Sequence, residues 1–205
     1  MSPLSKLSEL LTTLPGIGPR HAERLAYVIS NKDTSFLKTF QKTLNEIEHQ
    51  GTRCSSCRGL FFADQAKGSL ICPLCSDSRR DPKQLVVTET EINRNSIEKS
   101  GVTGGYYFIL GTALPVTETG TDRLPVKELT ERIRTLADHG LSEIIMAFNF
   151  TPESEHTAEL LKKSIEPTCS ELELSIRLLG RGFSTGTEVE YSDPDTLRHA
   201  FENRS

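Results

Sequence analysis

Cys54-x-x-Cys57 and Cys72-x-x-Cys75 stand fourteen residues apart, close to the spacing of four-thiolate zinc ribbons. Each pair can turn two sulfurs toward one point, and Gly59 and Gly68 let the chain between the pairs double back. Four thiolates complete a tetrahedral Zn²⁺ shell and leave no position for water, so the expected cofactor is one structural zinc ion and not a catalytic one. The segment from Arg53 to Asp77 is poor in apolar residues, and metal binding would replace the core it lacks. Two redox pairs or free thiols are the alternatives. The fifth cysteine, Cys169, is expected to be a small side chain in an acidic helix-to-strand connection.

A second constellation is Leu14-Pro15-Gly16-Ile17-Gly18-Pro19, a tight turn between two apolar stripes at helical spacing. Leu4, Leu7, Leu10 and Leu11 form the first stripe, and Ala22, Leu25, Ala26 and Ile29 the second. Gly16 and Gly18 lack the Cβ atoms that would keep a phosphate away, and the free N–H groups at the start of the next helix favour an anion. Arg20 and Arg24, one helical turn apart, would flank the same phosphate run. Such contacts hold a duplex without reading its sequence. A hairpin that merely packs two helices is the alternative, and Glu23 weakens the basic face.

The third is Leu85-Val86-Val87-Thr88-Glu89, which sets a carboxylate at the carboxyl end of a strand, where ligands of open α/β sheets gather. A Mg²⁺ enzyme would also need an Asp-x-Asp pair after a later strand, since a hard cation requires several carboxylate oxygens. The matching strand ends Ala147-Phe148-Asn149-Phe150-Thr151-Pro152-Glu153-Ser154-Glu155, without that pair. Mg²⁺ is therefore not expected, and Glu89, Glu153 and Glu155 are read as an acidic sheet edge for partner contact. Asp193-Pro194-Asp195 matches the letters but reads as a turn and helix cap. Gly180 to Thr187 is glycine-rich but lacks the Gly-Lys-Ser/Thr ending of a nucleotide-binding loop, and the five histidines are scattered.

The elements that must position these residues follow from periodicity. Helices are expected on either side of the glycine turn and from Ser35 to about His49, the latter carried by Phe36, Leu37, Phe40, Leu44 and Ile47. After Pro82, strands at Leu85–Thr88, Tyr106–Leu110, Glu143–Asn149 and Leu172–Leu179 alternate with helices near Glu91–Lys99, Val126–His139 and Glu153–Ile165, which implies a parallel sheet with crossover helices. Gly111 to Leu124 is the longest connection. A last strand, Glu188–Tyr191, and a helix from Pro194 to Asn203 would close the chain. The 205 residues carry a net charge of -4, split as +4 over Met1 to Lys83 and -8 over Gln84 to Ser205. A basic first part suits phosphates and an acidic second part suits protein. Apolar runs such as Ile144 to Phe148 are far short of the roughly 18 to 20 residues of a membrane span, and Met1 to Pro15 lacks a signal peptide's features. A cytoplasmic protein without membrane contact is expected.

The Leu14 to Ala26 pattern resembles a helix-hairpin-helix, and Leu85 to Glu89 resembles the first motif of Toprim domains. Taken in order with the four-cysteine ribbon, they make nearly the whole chain similar to RecR, a family of bacterial recombination mediators. The tract Ile71-Cys72-Pro73-Leu74-Cys75-Ser76-Asp77-Ser78-Arg79-Arg80-Asp81 running into Leu85 is the most specific stretch, and Phe108 to Gly111, Glu153 to Glu155 and Gly186 to Tyr191 also correspond. The chain departs from the family at Ile92-Asn93, Ser154, Thr112 and Thr187.

The resemblance implies a mixed α/β fold with four parts: a helix-hairpin-helix DNA-binding region at 1–52, a four-cysteine zinc ribbon at 53–78, a Toprim domain at 79–174 and a strand-helix segment at 175–205. It implies a non-catalytic clamp on double-stranded and gapped DNA, assembled as a dimer or tetramer ring and located in the cytoplasm with the nucleoid. The clamp would act with RecO and RecF to load recombinase at single-strand gaps, and Glu89, Glu153 and Glu155 would be partner-contact candidates. A Mg²⁺-dependent Toprim nuclease or primase-like enzyme using Glu89 is the alternative, and a zinc-ribbon adaptor without DNA is a third possibility.

Overall fold

The computed structural model describes residues 1–62 and 68–180. The expected segment after Gly180, including Glu188–Tyr191, the Pro194–Asn203 helix, Asp193 and Asp195, lies outside the described residues. The chain forms two compact units, Met1–Gly51 and Thr52–Ser205.

The first unit is helical: α1 (Pro3–Thr12), α2 (Pro19–Ser30) and α3 (Thr34–Gln50). Each start is set by local chemistry. Ser2 caps α1 by accepting from Ser5 N–H, and Asp33 caps α3 by accepting from Phe36 N–H at 2.7 Å. α2 opens with Pro19 in its first turn, where a missing N–H costs nothing. Ala22 and Ala26 are fully buried, small enough for α2 to lie close against α1. Leu10, expected on the packed stripe, is instead 66% exposed, because the hairpin buries only a narrow strip of α1.

The second unit begins with a two-stranded ribbon, β1 (Gly51–Arg53) and β2 (Leu60–Phe62), and the short helix α4 (Pro73–Ser76). A four-stranded sheet follows in the order β4-β3-β5-β6, every pair parallel, built from β3 (Asp81–Thr88), β4 (Gly105–Ile109), β5 (Glu143–Ala147) and β6 (Ser175–Leu178). Alternation along β3 divides its side chains between two faces. Leu85 and Val87 enter the main core beneath α6 (Val126–Ala137) and α7 (Pro152–Glu171). Val86 points the other way, toward Tyr107, Ala147 and Ile97 of α5 (Glu91–Ser100). The fold is thus mixed α/β with a three-layer, Toprim-like sheet.

Four expectations are corrected, the first being that β3 begins at Asp81 and not at Leu85. The helix expected to stop near Ile165 continues to Glu171 through Pro167. A proline inside a helix costs about 3 kcal/mol, yet Leu161, Ile165, Thr168 and Cys169 continue one buried face across it, so packing outweighs the lost bond. Cys169 consequently lies in the helix, and Leu172 to Leu174 lie in its turn-out and not in a strand. The Gly111–Leu124 connection is pinned to α7: Leu114 N–H donates to Thr157 Oγ1 at 2.7 Å, His156 Nε2 meets the Glu118 carbonyl at 2.5 Å, and Leu114 is fully buried.

Candidate metal centre and nucleic-acid interface

In the first unit, the turn between α1 and α2 places the predicted residues on the surface. Gly16 has φ +78°, a left-handed conformation that disfavours other residues, and Ile17 N–H closes the turn on the Leu14 carbonyl at 3.2 Å. A Cβ at Gly16 or Gly18 would meet nothing within 4 Å, so both glycines leave open space in front of the backbone. Gly18 caps α2 without a side chain, and Pro19 carries no N–H, which leaves the amides of Arg20 and His21 as donors at this helix end. Arg20 and Arg24 are exposed.

In the second unit, the Sγ atoms of Cys54, Cys57, Cys72 and Cys75 all lie within 4.8 Å of one another, and those of Cys57 and Cys72 are 3.7 Å apart. A metal–sulfur bond of about 2.3 Å implies tetrahedral sulfur–sulfur edges of about 3.8 Å, so the donor set fits a single ion. No disulfide joins these cysteines. Two backbone amides aim at the sulfurs, Gly59 N–H at Cys57 Sγ (3.4 Å) and Cys72 N–H at Cys54 Sγ (3.3 Å), the second layer of donors that steadies thiolate ligands.

The thiols share protons unequally. Contacts with Cys57, then Cys72 and Cys75, draw Cys54 far below an ordinary thiol, whereas contacts with Cys54, then Cys57 and Cys72, hold Cys75 far above one. Holding all four sulfurs deprotonated at these separations requires a cation to neutralise them. The first knuckle is fastened to the sheet. Ile109 N–H donates to the Cys57 carbonyl at 2.9 Å, Arg58 pairs with Glu128 at 2.9 Å, and a side chain at Gly59 would come within 3.1 Å of Ile109 Cδ1. Arg58 itself holds φ +64°, an uncommon conformation for a residue with a Cβ.

The third predicted group does not converge. Glu153 and Glu155 are exposed at the start of α7, while Glu89, directly after β3, is only 1% exposed. As a partner-contact candidate Glu89 is therefore corrected: its carboxylate faces inward, where Asn149 donates to Oε2 through its backbone N–H (3.2 Å) and its Nδ2 (2.6 Å). A divalent cation, which a Toprim fold implies, does not suit this donor set, because an amide N–H stands where a ligand oxygen would be needed. Among the described residues, the four cysteines are the only group of three or more His, Cys, Asp or Glu that could hold a metal ion.

The family profile described as RecR, helix-hairpin-helix, matches residues 4–47, and the Toprim domain profile matches residues 83–179. A recombination protein RecR of Dehalococcoides mccartyi is 35% identical over 98% of this chain and 93% of its own length. Relatives with the same name from Frankia casuarinae (34%, covering 97% of this chain and 94% of the relative) and Streptococcus mutans (32%, covering 100% and 97%) align just as fully. The chain belongs to the RecR family. Its hairpin, cysteine cluster and sheet are thus assigned together, and among the described residues no helix is long and apolar enough to cross a membrane.

Sequence reasoning missed two groups in this member of the family. Arg80, its side chain 8% exposed, donates bidentately to Glu98 at 2.9 and 2.7 Å and through Nε to the Gly105 carbonyl at 2.8 Å. The Arg80 guanidinium holds Glu98 below the usual carboxylate range, and burial, then Glu98, pushes the neighbouring Tyr107 phenol up to about 12. Asn149 and Asn93, joined at 3.1 Å, were also missed. The signals available were a polar residue just past β5 for Asn149 and, for Asn93, its place three residues after the helix-capping Thr90.

Proposed function

We propose that this protein is a non-catalytic DNA clamp of recombinational repair, which acts with RecO and RecF to load recombinase at single-strand gaps. The observation that carries it is the α1–α2 turn, where two glycines with open space before them, an uncapped helix start and exposed Arg20 and Arg24 coincide on one surface. Backbone amides and guanidinium groups so arranged suit the phosphates of double-stranded and gapped DNA. In this reading the ion among the four cysteines is a structural Zn²⁺, and exposed Glu153 and Glu155 meet protein partners.

The parts divide as 1–52 for DNA, 53–78 for zinc, 79–174 for the Toprim domain and 175–205 as a closing segment, in a cytoplasmic, nucleoid-associated homo-oligomer. The apolar face of α3, with Phe36, Phe40, Leu44 and Ile47 exposed in the single chain, supports assembly with a second copy.

The test is duplex binding of the zinc-loaded chain across a salt series. Arg20→Ala/Arg24→Ala should weaken binding and lower the slope of log affinity against log salt by about 2, since each phosphate contact contributes about 0.9. An unchanged slope, or no DNA binding at low salt with or without partner proteins, overturns the clamp. Nicking or primer synthesis lost in Glu89→Gln would favour the Mg²⁺ enzyme.

A further inference from the structure

Beyond β3, a buried carboxylate faces an amide that is held in one orientation. Thr90 donates to Asn93 Oδ1 twice, from its N–H at 3.2 Å and its hydroxyl at 2.6 Å. With that oxygen engaged, Asn93 turns Nδ2 onto Asn149 Oδ1 at 3.1 Å. Asn149, its own oxygen engaged, turns Nδ2 onto Glu89 Oε2 at 2.6 Å and adds its backbone N–H at 3.2 Å. Glu89 Oε1 is buried without a hydrogen-bond partner. Flipping the Asn149 amide would set its oxygen against the Glu89 carboxylate and its NH₂ against that of Asn93, two repulsive contacts in place of two bonds.

We propose that Asn149 is a positioning residue that closes this end of the sheet to divalent cations and converts Glu89 into a clamp between the segments that follow β3 and β5. A hard cation needs lone pairs directed at it from several oxygens. Here Oε2 already accepts two N–H hydrogens, and the relay from Thr90 keeps the donor side of the amide toward Glu89. Among the described residues Glu89 belongs to no group of three or more His, Cys, Asp or Glu that could hold a metal ion. The inference rests on this relay and stands whether or not the hairpin binds DNA.

The cation response of folding tests it. Asn149→Asp keeps the shape of the side chain but replaces the donor with an acceptor, which places two carboxylates face to face. Melting of the zinc-loaded full chain is measured in metal-depleted buffer and then with Mg²⁺ or Mn²⁺ up to millimolar. The wild type should show no saturable shift. Asn149→Asp should melt lower without added cation and recover saturably with Mn²⁺, and adding Glu89→Gln to it should abolish the recovery.

Should Asn149→Asp not fold, a double-mutant cycle of Asn149→Ala with Glu89→Leu gives a second readout. The pair should be coupled by at least about tenfold in the unfolding equilibrium constant, as expected of bonds to a charged acceptor. A saturable wild-type response lost in Glu89→Gln overturns the proposal. So does a folded Asn149→Asp without a cation response, or a cycle without coupling.

Discussion

Phe36, Leu37, Phe40, Leu44 and Ile47 on α3 remain 37–51% exposed, whereas Leu129, Ile133 and Leu136 on α6 and Leu161 and Ile165 on α7 are at most 3% exposed. All three helices carry apolar residues at i, i+3 and i+4 spacing. Two of them lie against the sheet and its long connection and find their partner within the chain. The third does not. Periodicity announces that an apolar face exists and says nothing about what covers it. The hairpin unit, whose fully buried side chains are Ala22 and Ala26, keeps little apolar area out of water by itself. The sheet unit holds the continuous core. The chain thus combines one small, sparsely packed unit with one well-packed unit.

The largest effect that should sharpen this contrast concerns the cysteines, since the ribbon's buried cluster consists of Cys54, Cys57, Cys72 and Phe61. Structural zinc contributes on the order of 10 kcal/mol in small domains. Cys54→Ser or Cys75→Ser should lose the metal and disorder the ribbon, seen by elemental analysis with calorimetry. A variant that keeps one equivalent of metal and the parent melting temperature would remove the metal from its role as the ribbon's core.

Next in size is a matched pair of truncations. Leu161→Ala should cost about 2–5 kcal/mol, as cavity-forming changes do, at every protein concentration. Leu44→Ala should lower stability only where the assembled form is populated, and should shift solution mass toward the single chain. Equal and concentration-independent losses in the two variants would break the contrast, because α3 would then be packed as α7 is.

The smallest concerns the Arg80–Glu98 pair. Glu98 is held below its unfolded value of about 4.3 by the hydrogen bond from Arg80, so the pair's contribution is complete above that value. It is lost as pH falls through the lower folded one. Glu98→Gln should cost on the order of 1–2 kcal/mol near neutrality and flatten the stability–pH curve as pH falls below about 4.3. An identical slope in variant and wild type would show that other carboxylates govern acid unfolding.

Much of the candidate site was legible because local rules govern it. Two Cys-x-x-Cys turns converge wherever the chain doubles back, and a Gly-x-Gly-Pro turn between apolar stripes can hardly be anything but a helical hairpin. The end of β3 was read correctly at Thr88, where hydrophobic residues run together, but the strand starts at Asp81, four residues before that run. The errors came where tertiary packing overrode a local signal: Pro167 inside α7, and Leu172 to Leu174 turned out of the sheet.

By itself the sequence determined the cysteine set, the glycine turn with its arginines and the strand–helix alternation, since each depends on residues within a few turns of one another. Only the tertiary structure decided that Glu89 faces inward onto Asn149, 60 residues away, and that Glu98 closes on Arg80. Those contacts arise from parallel register, which aligns Thr88 with Ala147. Register is set by the burial of whole strands against their helices, a sum over the entire core that no local run of residues contains.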